Sequence, residues 1–259
     1  MDRTVIERLA DTYRQLYVAP APDATGKYLD IVEKGHEPQT RDLSHFITSD
    51  RDSLTIEHTP AGDVTVITLG NREDFVTFLR IMANRCRIVD IPATQGSSTL
   101  IGVINRRKFE QHLPYKDTLI VLSIGPYSAV PAEKLGLSDE EWLALSSDIR
   151  KYHECTHFIC RRLFTDKKDP VWDELVADVV GIVAAFGRYD VEKSKIFLGI
   201  EGNSYGHGRL ENYADIDPDL IGKVSEALGC IADIIADHPD AAPYEIAVML
   251  EEEKDRIWK

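Results

Sequence analysis

The spacing of apolar residues predicts strands and helices together in the first half of the chain. Runs rich in apolar and β-branched residues predict three strands, at Asp63–Leu69, Ser98–Ile104 and Thr118–Ile124. Apolar residues that recur at helical spacing predict helices at Asp2–Val18 and Arg72–Asn84. Residues 20–60 carry no pattern that identifies an element. The first half should therefore be a mixed α/β region with a small sheet.

The second half is predicted to be mainly helical. Capping residues and apolar spacing predict four helices: from the Ser138–Glu141 capping box to about Leu163, from Asp169 and Pro170 to about Phe186, from Asp217 and Pro218 to about Asp237, and from Pro243 onward. We therefore expect an α+β fold, with a mixed α/β lobe over residues 1–130 and a mainly helical lobe over residues 131–259.

The first of these helices carries the sequence H-E-C-T-H, in which His153, Glu154 and His157 match the H-E-x-x-H motif. Side chains four residues apart lie about 40° from each other around a helix, so both imidazoles can reach one metal ion. Glu154 could accept a proton from a water molecule that Zn²⁺ makes acidic near pH ~7. Because a catalytic zinc site usually has three protein ligands, one more ligand must come from elsewhere.

The next predicted helix offers two acids at the same spacing, Glu174 and Asp178. The short connection predicts that the two helices pack antiparallel. At about 1.5 Å of rise per residue, Glu174 then lies near the level of His157, and Asp178 near that of His153. Glu174 can complete the metal ligands, while Asp178 can accept the ring N–H of His153 and fix its tautomer.

The combination of H-E-C-T-H with E-x-x-x-D on the following helix resembles the gluzincin branch of the zinc metallopeptidases, the group that includes thermolysin. The resemblance covers about residues 138–187 and implies a zincin-like fold. It also implies a zinc ion bound by His153, His157 and Glu174, with Glu154 as general base and Asp178 orienting His153. Only sixteen residues separate His157 from Glu174, which is fewer than in those enzymes, so Asp178 remains an alternative third ligand.

Other residues near the motif have expected packing roles. Ala177 and Gly181 are small and would let the two helices approach closely. Cys155 lies about 200° round the helix from His153, so it should be a buried thiol and not a ligand. The four cysteines include no C-x-x-C pair and should all be reduced.

The stretch E-G-N-S-Y-G-H-G-R-L-E-N-Y, after the ligand helices, has the composition of a substrate-binding loop. Tyr205 or His207 could donate a hydrogen bond to the oxyanion that forms when a carbonyl is attacked. Arg209 could hold a substrate carboxylate through its planar guanidinium. Tyr213 is a further candidate for contact with the substrate.

Zincins also place a sheet above the active-site helix, with an edge strand that pairs with the substrate. The run T-L-I-V-L-S-I, which begins at Thr118, is the candidate for this edge strand in the first lobe. The alternative is that the same run forms an interior strand of that lobe.

Composition narrows the choice of partners. The 259 residues include 44 acidic and 30 basic side chains, and the formal charge of −14 opposes binding to nucleic acid and to anionic membranes. The apolar runs are shorter than the roughly 20 residues of a membrane span. The first residues lack the apolar core of a secretion signal, so we expect a cytoplasmic protein.

These observations favour a zinc-dependent hydrolase, a metallopeptidase in which zinc and Glu154 activate water for attack on a peptide or another small amide. The alternative is a non-catalytic protein, derived from a peptidase, that binds zinc and peptide without cleavage.

Overall fold

A computed structural model describes residues 3–102, 117–165, 169–202 and 204–259. The chain divides into two compact units, the first comprising Met1–Glu57 with Val64–Ile124 and the second comprising His58–Asp63 with Gly125–Lys259. The main division, after Ile124, comes six residues before the predicted boundary at residue 130. The fold is α+β.

The first unit contains helices around a four-stranded sheet. Apart from residues His58–Asp63 at the end of β1 and the start of β2, its elements are α1 (Val5–Thr12), α2 (Thr25–Val32), β1 (Ser53–Thr59), β2 (Gly62–Leu69), α3 (Arg72–Met82), β3 (Ser97–Ile101) and β4 (Thr118–Ser123). The predicted first helix is too long, because the chain leaves the helical conformation at Tyr13 and continues as a short 3₁₀ helix. The last residues of the strand predicted to reach Ile104 lie outside the described residues.

The strand order in this sheet is β1-β2-β4-β3. In the middle of β4, Ile120 pairs with Val66 of the parallel strand β2 on one side and with Thr99 of the antiparallel strand β3 on the other. The prediction that this run is an edge strand is therefore wrong, since neither side of β4 is open. Its five consecutive buried residues are typical of a strand that is covered on both faces.

The second unit is mainly helical. Its elements are α4 (Asp139–Leu163), α5 (Pro170–Phe186), α6 (Val191–Leu198), the two-stranded ribbon of β5 (Ile200–Glu201) and β6 (Ser204–Tyr205), α7 (Pro218–Asp237) and α8 (Pro243–Ile257). The four predicted helices are confirmed, and Ser138, Asp169 and Asp217 cap the first, second and third of them as expected. α6 and the ribbon were not predicted.

The close packing of α4 against α5 sets the geometry of the site. Gly181 faces α4, where an added Cβ atom would lie 2.9 Å from both the carbonyl oxygen and a side-chain methyl of Ile149. Ala177, one turn earlier, is fully buried. The prediction that small residues on α5 allow close approach is therefore confirmed at Gly181.

Two further expectations concern the chain as a whole. All four cysteines are free thiols, and Cys155 is fully buried, as predicted. In the part of the chain that the structure describes, no helix combines the length and the apolar character needed to cross a membrane.

Candidate metal centre

His153 and His157 lie one turn apart on the buried face of α4. Both residues are buried, with exposures of 5% and 7%. The two Nε2 atoms are 3.1 Å apart, and the rings meet edge to face at 90°. The i, i+4 spacing therefore aims both imidazoles at one point, as the sequence predicted.

Glu174 of α5 supplies a carboxylate at the same point. Its Oε2 lies 3.4 Å from Nε2 of His153, and its Oε1 lies 3.2 Å from Nε2 of His157. One candidate ligand atom from each of the three residues lies within 4.8 Å of the other two. In a tetrahedral zinc site with bonds of about 2.1 Å, neighbouring ligand atoms are about 3.4 Å apart. The three side chains are therefore spaced as a group that could hold a metal ion, and this group contains Glu174 and not Asp178.

Asp178 lies on the other side of the His153 ring. Its Oδ1 is 3.0 Å from Nδ1 of His153. Burial raises the pKa of Asp178, but the charges of Arg209 and His153 lower it by more than burial raises it. The net shift is therefore downward, and the carboxyl is ionised. A carboxylate only accepts hydrogen bonds, so Nδ1 carries a proton. When His153 is neutral, its Nε2 therefore presents a lone pair toward Glu174 and His157.

The charges around His153 favour a cation at this point. Burial lowers its pKa, but the carboxylates of Glu174 and Asp178 outweigh burial and raise the pKa to about 9. The pKa of Glu174 falls in spite of its own burial, because the two histidines lie beside it. A proton and a metal ion compete for the same nitrogen lone pair. The arrangement therefore suits a bound metal ion as well as it suits a proton.

Tyr127 also belongs to the centre, although it was not among the residues predicted for the site. Its hydroxyl donates to Oδ1 of Asp178 at 2.5 Å and lies 2.8 Å from Nδ1 of His153. Burial raises the pKa of the phenol well above its usual value, so the hydroxyl keeps its proton. The one local signal is the Gly-Pro-Tyr turn that precedes the motif helix.

The backbone around Tyr127 is held against α4. The two residues after Tyr127, Ser128 and Ala129, have φ angles of 52° and 55°, in the left-handed region that non-glycine residues rarely adopt. Three side chains on one face of α4 bind this segment. Ser146 Oγ accepts the N–H of Tyr127 at 3.0 Å, and Trp142 Nε1 donates to the carbonyl of Val130 at 2.7 Å. Arg150 donates to the carbonyls of Gly125 and Pro126 at 3.2 Å. The strained turn is therefore fixed by the helix that carries the histidines.

Arg209 reaches the same network from the segment after β6. Its Nη2 donates to Oδ1 of Asp178 at 2.7 Å and to Oε2 of Glu174 at 3.2 Å, while its Nη1 donates to the hydroxyl of Tyr127 at 2.5 Å. The side chain is only 17% exposed. The prediction that Arg209 binds a substrate carboxylate is therefore not supported, because its guanidinium is occupied by acids of the protein itself.

A family model covers the part of the chain that holds all of these residues. A model of a family of unknown function, DUF7005, matches residues 5–113 and 108–239, and the second match contains every side chain of the centre. The chain belongs to this family. No curated protein matches the chain, and no solved structure matches it.

Tyr205 and His207 were predicted as oxyanion donors, and the structure gives both a different position. The Tyr205 hydroxyl lies 2.8 Å from the carbonyl oxygen of Gly208 and accepts the N–H of the same residue at 2.9 Å, so it closes its own loop. The His207 side chain is 97% exposed and lies 3.5 Å from a carboxylate oxygen of Glu211. Neither side chain is brought to the ligand atoms.

Two glycines position the start of the Arg209 segment. An added Cβ at Gly208 would lie 2.5 Å from Cα of Gly199, and one at Gly199 would lie 2.7 Å from Cα of Gly208. The amide of Gly206 also donates to the carbonyl of Gly199 at 2.8 Å. The two backbone stretches therefore touch directly, and this contact places Arg209 beside α5.

Tyr213 and Glu154 complete the set of predicted residues. The Tyr213 hydroxyl interacts with the carboxylate of Glu174, and burial raises the pKa of the phenol, so it remains protonated. Glu154 follows His153 on α4 and is partly buried. The structure thus brings Tyr213 to the centre, whereas it places Tyr205 and His207 elsewhere.

Proposed function

We propose that this protein is a zinc-dependent hydrolase that cleaves peptide bonds. The observation that carries the proposal is the convergence of His153, His157 and Glu174 on one buried point, with Glu154 next to the first ligand. A purely structural zinc site usually has four protein ligands and needs no base, so three ligands beside a glutamate favour catalysis.

Each ligand would hold zinc through a lone pair that the protein has already oriented. Asp178 and Tyr127 fix the Nδ1 side of His153, which leaves Nε2 for the metal. When bound, zinc would supply a Lewis acid and would lower the pKa of water in its open position to about 7. The chemistry of the donor set, two imidazoles and one carboxylate, is that of known catalytic zinc sites.

Glu154 acts as general base in this proposal. It accepts a proton from the water that attacks the carbonyl carbon, so that a C–O bond forms. It then passes this proton to the amide nitrogen as the C–N bond breaks. Proton transfer by a positioned carboxylate typically contributes about 10²–10⁴ in rate.

Tyr213 takes the role of hydrogen-bond donor to the oxyanion. Its hydroxyl donates to the carboxylate of Glu174, and burial keeps it protonated. When a substrate carbonyl gains charge, this hydroxyl would turn from Glu174 and donate to the carbonyl oxygen. This assignment replaces Tyr205 and His207, whose side chains face their own loop and solvent. The substrate is a peptide or a related amide, since the proposed machinery acts on the carbonyl group. The free thiols suit a reducing compartment such as the cytoplasm.

The test combines metal analysis with cleavage of a mixed peptide library. The wild type should contain one zinc ion per chain and cleave peptides. Glu154→Gln should retain zinc and lose at least about 10²-fold in rate. Glu140→Gln, which changes an exposed glutamate at the start of the same helix, should behave as the wild type.

Two outcomes contradict the proposal. A purified wild type that takes up no zinc would exclude the metal centre. A wild type that binds zinc and peptides without cleaving them would instead support the non-catalytic alternative, a peptide-binding protein derived from a peptidase.

A further inference from the structure

Both carboxylate oxygens of Glu174 face an imidazole nitrogen. Oε2 lies 3.4 Å from Nε2 of His153, and Oε1 lies 3.2 Å from Nε2 of His157. The histidines alone would therefore allow Glu174 to bind a metal ion through both oxygens. A second bond from this carboxylate would take space at the position that water and substrate need in a catalytic zinc site.

Arg209 contacts one of these two oxygens. Its Nη2 donates to Oε2 of Glu174 at 3.2 Å and to Oδ1 of Asp178 at 2.7 Å. A lone pair that accepts a charged hydrogen bond is less available to a metal ion. We propose that Arg209 is a positioning residue that restricts Glu174 to one metal bond, through Oε1, and thereby keeps a coordination position open. This inference rests on the proposed function.

The position of Arg209 is itself well determined. Nη1 donates to the Tyr127 hydroxyl, and Cζ lies 4.9 Å from the centre of the Tyr127 ring. The planar guanidinium thus contacts Glu174, Asp178 and Tyr127 in one fixed orientation, which a lysine could not reproduce. The backbone contact between Gly199 and Gly208 fixes the chain immediately before it.

The positive charge of Arg209 argues that the residue positions Glu174 and does not strengthen metal binding. A cation beside the ligands repels a divalent ion, so a centre built only for tight binding would be expected to lack it. Removing the guanidinium should therefore leave zinc affinity equal or higher. It should also change the coordination of the ion, because Oε2 becomes a second ligand atom.

The experiment compares the wild type, Arg209→Met and the control Arg188→Met, which alters an exposed arginine. Each protein is loaded with zinc to measure affinity and with Co²⁺ to record the visible spectrum. The wild type and the control should give the intense absorption of four-coordinate Co²⁺. Arg209→Met should give the weaker absorption of five-coordinate Co²⁺, with zinc affinity unchanged or higher and with at least a tenfold loss of cleavage.

The outcomes separate the two proposals. Metal uptake by the wild type, combined with a four-coordinate spectrum in Arg209→Met, overturns the role of Arg209 and leaves the hydrolase proposal intact. Absence of metal from the wild type overturns both. If Arg209→Met does not fold, a crystal structure of the zinc-loaded wild type decides: a bond through Oε1 alone, with Arg209 on Oε2, supports the inference, and a two-oxygen bond overturns it.

Discussion

Gly181 of α5 packs directly against Ile149 of α4, so closely that a methyl group at Gly181 would lie 2.9 Å from the carbonyl oxygen of Ile149. This contact lies one turn beyond the level of Asp178 and His153. The distance between the two helices is therefore set by a residue outside the candidate metal centre, and the approach of Glu174 to His153 and His157 depends on that distance.

Gly181→Ala should destabilise the protein and weaken its zinc binding. The added Cβ would push against backbone that cannot move aside, and such overpacking costs about 1–3 kcal/mol. Thermal unfolding and zinc titration measure the two effects. Gly229→Ala is the matched control, because a Cβ at this position of α7 meets nothing, and it should be neutral or stabilising. Wild-type stability and affinity in Gly181→Ala would show that the helix spacing is adjustable.

Zinc should stabilise the wild type against unfolding, and loss of one ligand should abolish this effect. At a free zinc concentration about 1,000 times Kd, binding adds about 4 kcal/mol to the free energy of unfolding. His157→Ala should show little or no shift in Tm when zinc replaces a chelator. His207→Ala, which removes an exposed histidine, should keep the full shift. Equal shifts in both variants would place the ion elsewhere.

Tyr205 and Tyr213 should differ in what their hydroxyls contribute. Tyr205→Phe removes hydrogen bonds within its own loop and should cost about 1 kcal/mol of stability, with little change in the rate of cleavage. Tyr213→Phe should lower the rate by about 10²–10³ if its hydroxyl binds the oxyanion. Steady-state cleavage and thermal unfolding of both variants check this, and the reverse pattern would restore the role that the sequence suggested for Tyr205.

The first unit should lose stability in mild acid through His45. Burial lowers the pKa of His45, and this outweighs the opposing effects of the Leu16 carbonyl, Asp42 and Asp74. The unfolded chain, with a histidine pKa of about 6.5, then binds the proton more readily than the folded chain. The stability that neutral His45 contributes is therefore fully present above pH ~6.5. It is lost as the pH falls through the lower pKa that His45 has in the folded chain.

Denaturant unfolding between pH 7 and pH 5 measures this contribution. The stability of the wild type relative to His45→Gln should decrease as the pH falls, because only the wild type carries the group that prefers to be neutral. His36→Gln replaces an exposed histidine and provides the comparison. A constant difference between wild type and His45→Gln would contradict the assignment.

The parts of the centre that could be predicted from sequence depend on local rules. The spacing of His153 and His157 fixes their relative direction on any helix, and the caps at Ser138 and Asp169 fix where two helices begin. Because the connection between the two helices is short, counting residues from it predicted that Glu174 lies beside His157. Each of these inferences needed only about 40 residues of chain.

Tyr127 and Arg209 could not be predicted in the same way. They lie 82 residues apart, and their contact depends on how a 3₁₀ turn and a glycine-rich loop meet around α5. The periodic spacing of apolar residues does not show which distant segments come into contact. The interior position of β4 was missed for a related reason. The order of strands in a sheet depends on pairing between distant segments, and an apolar run can form either an edge strand or an interior strand.

The contact between Gly199 and Gly208 has a consequence for the rest of the family. Each position rejects a side chain because the other backbone lies against it, and Gly199 also has a φ of 86° in the left-handed region, so the contact requires glycine at both positions. Relatives that retain an arginine at the place of Arg209 should retain both glycines, and those that lose either glycine should lose the arginine too. The fingerprint G-x₈-G-R would then sort family members into those with this centre and those without it.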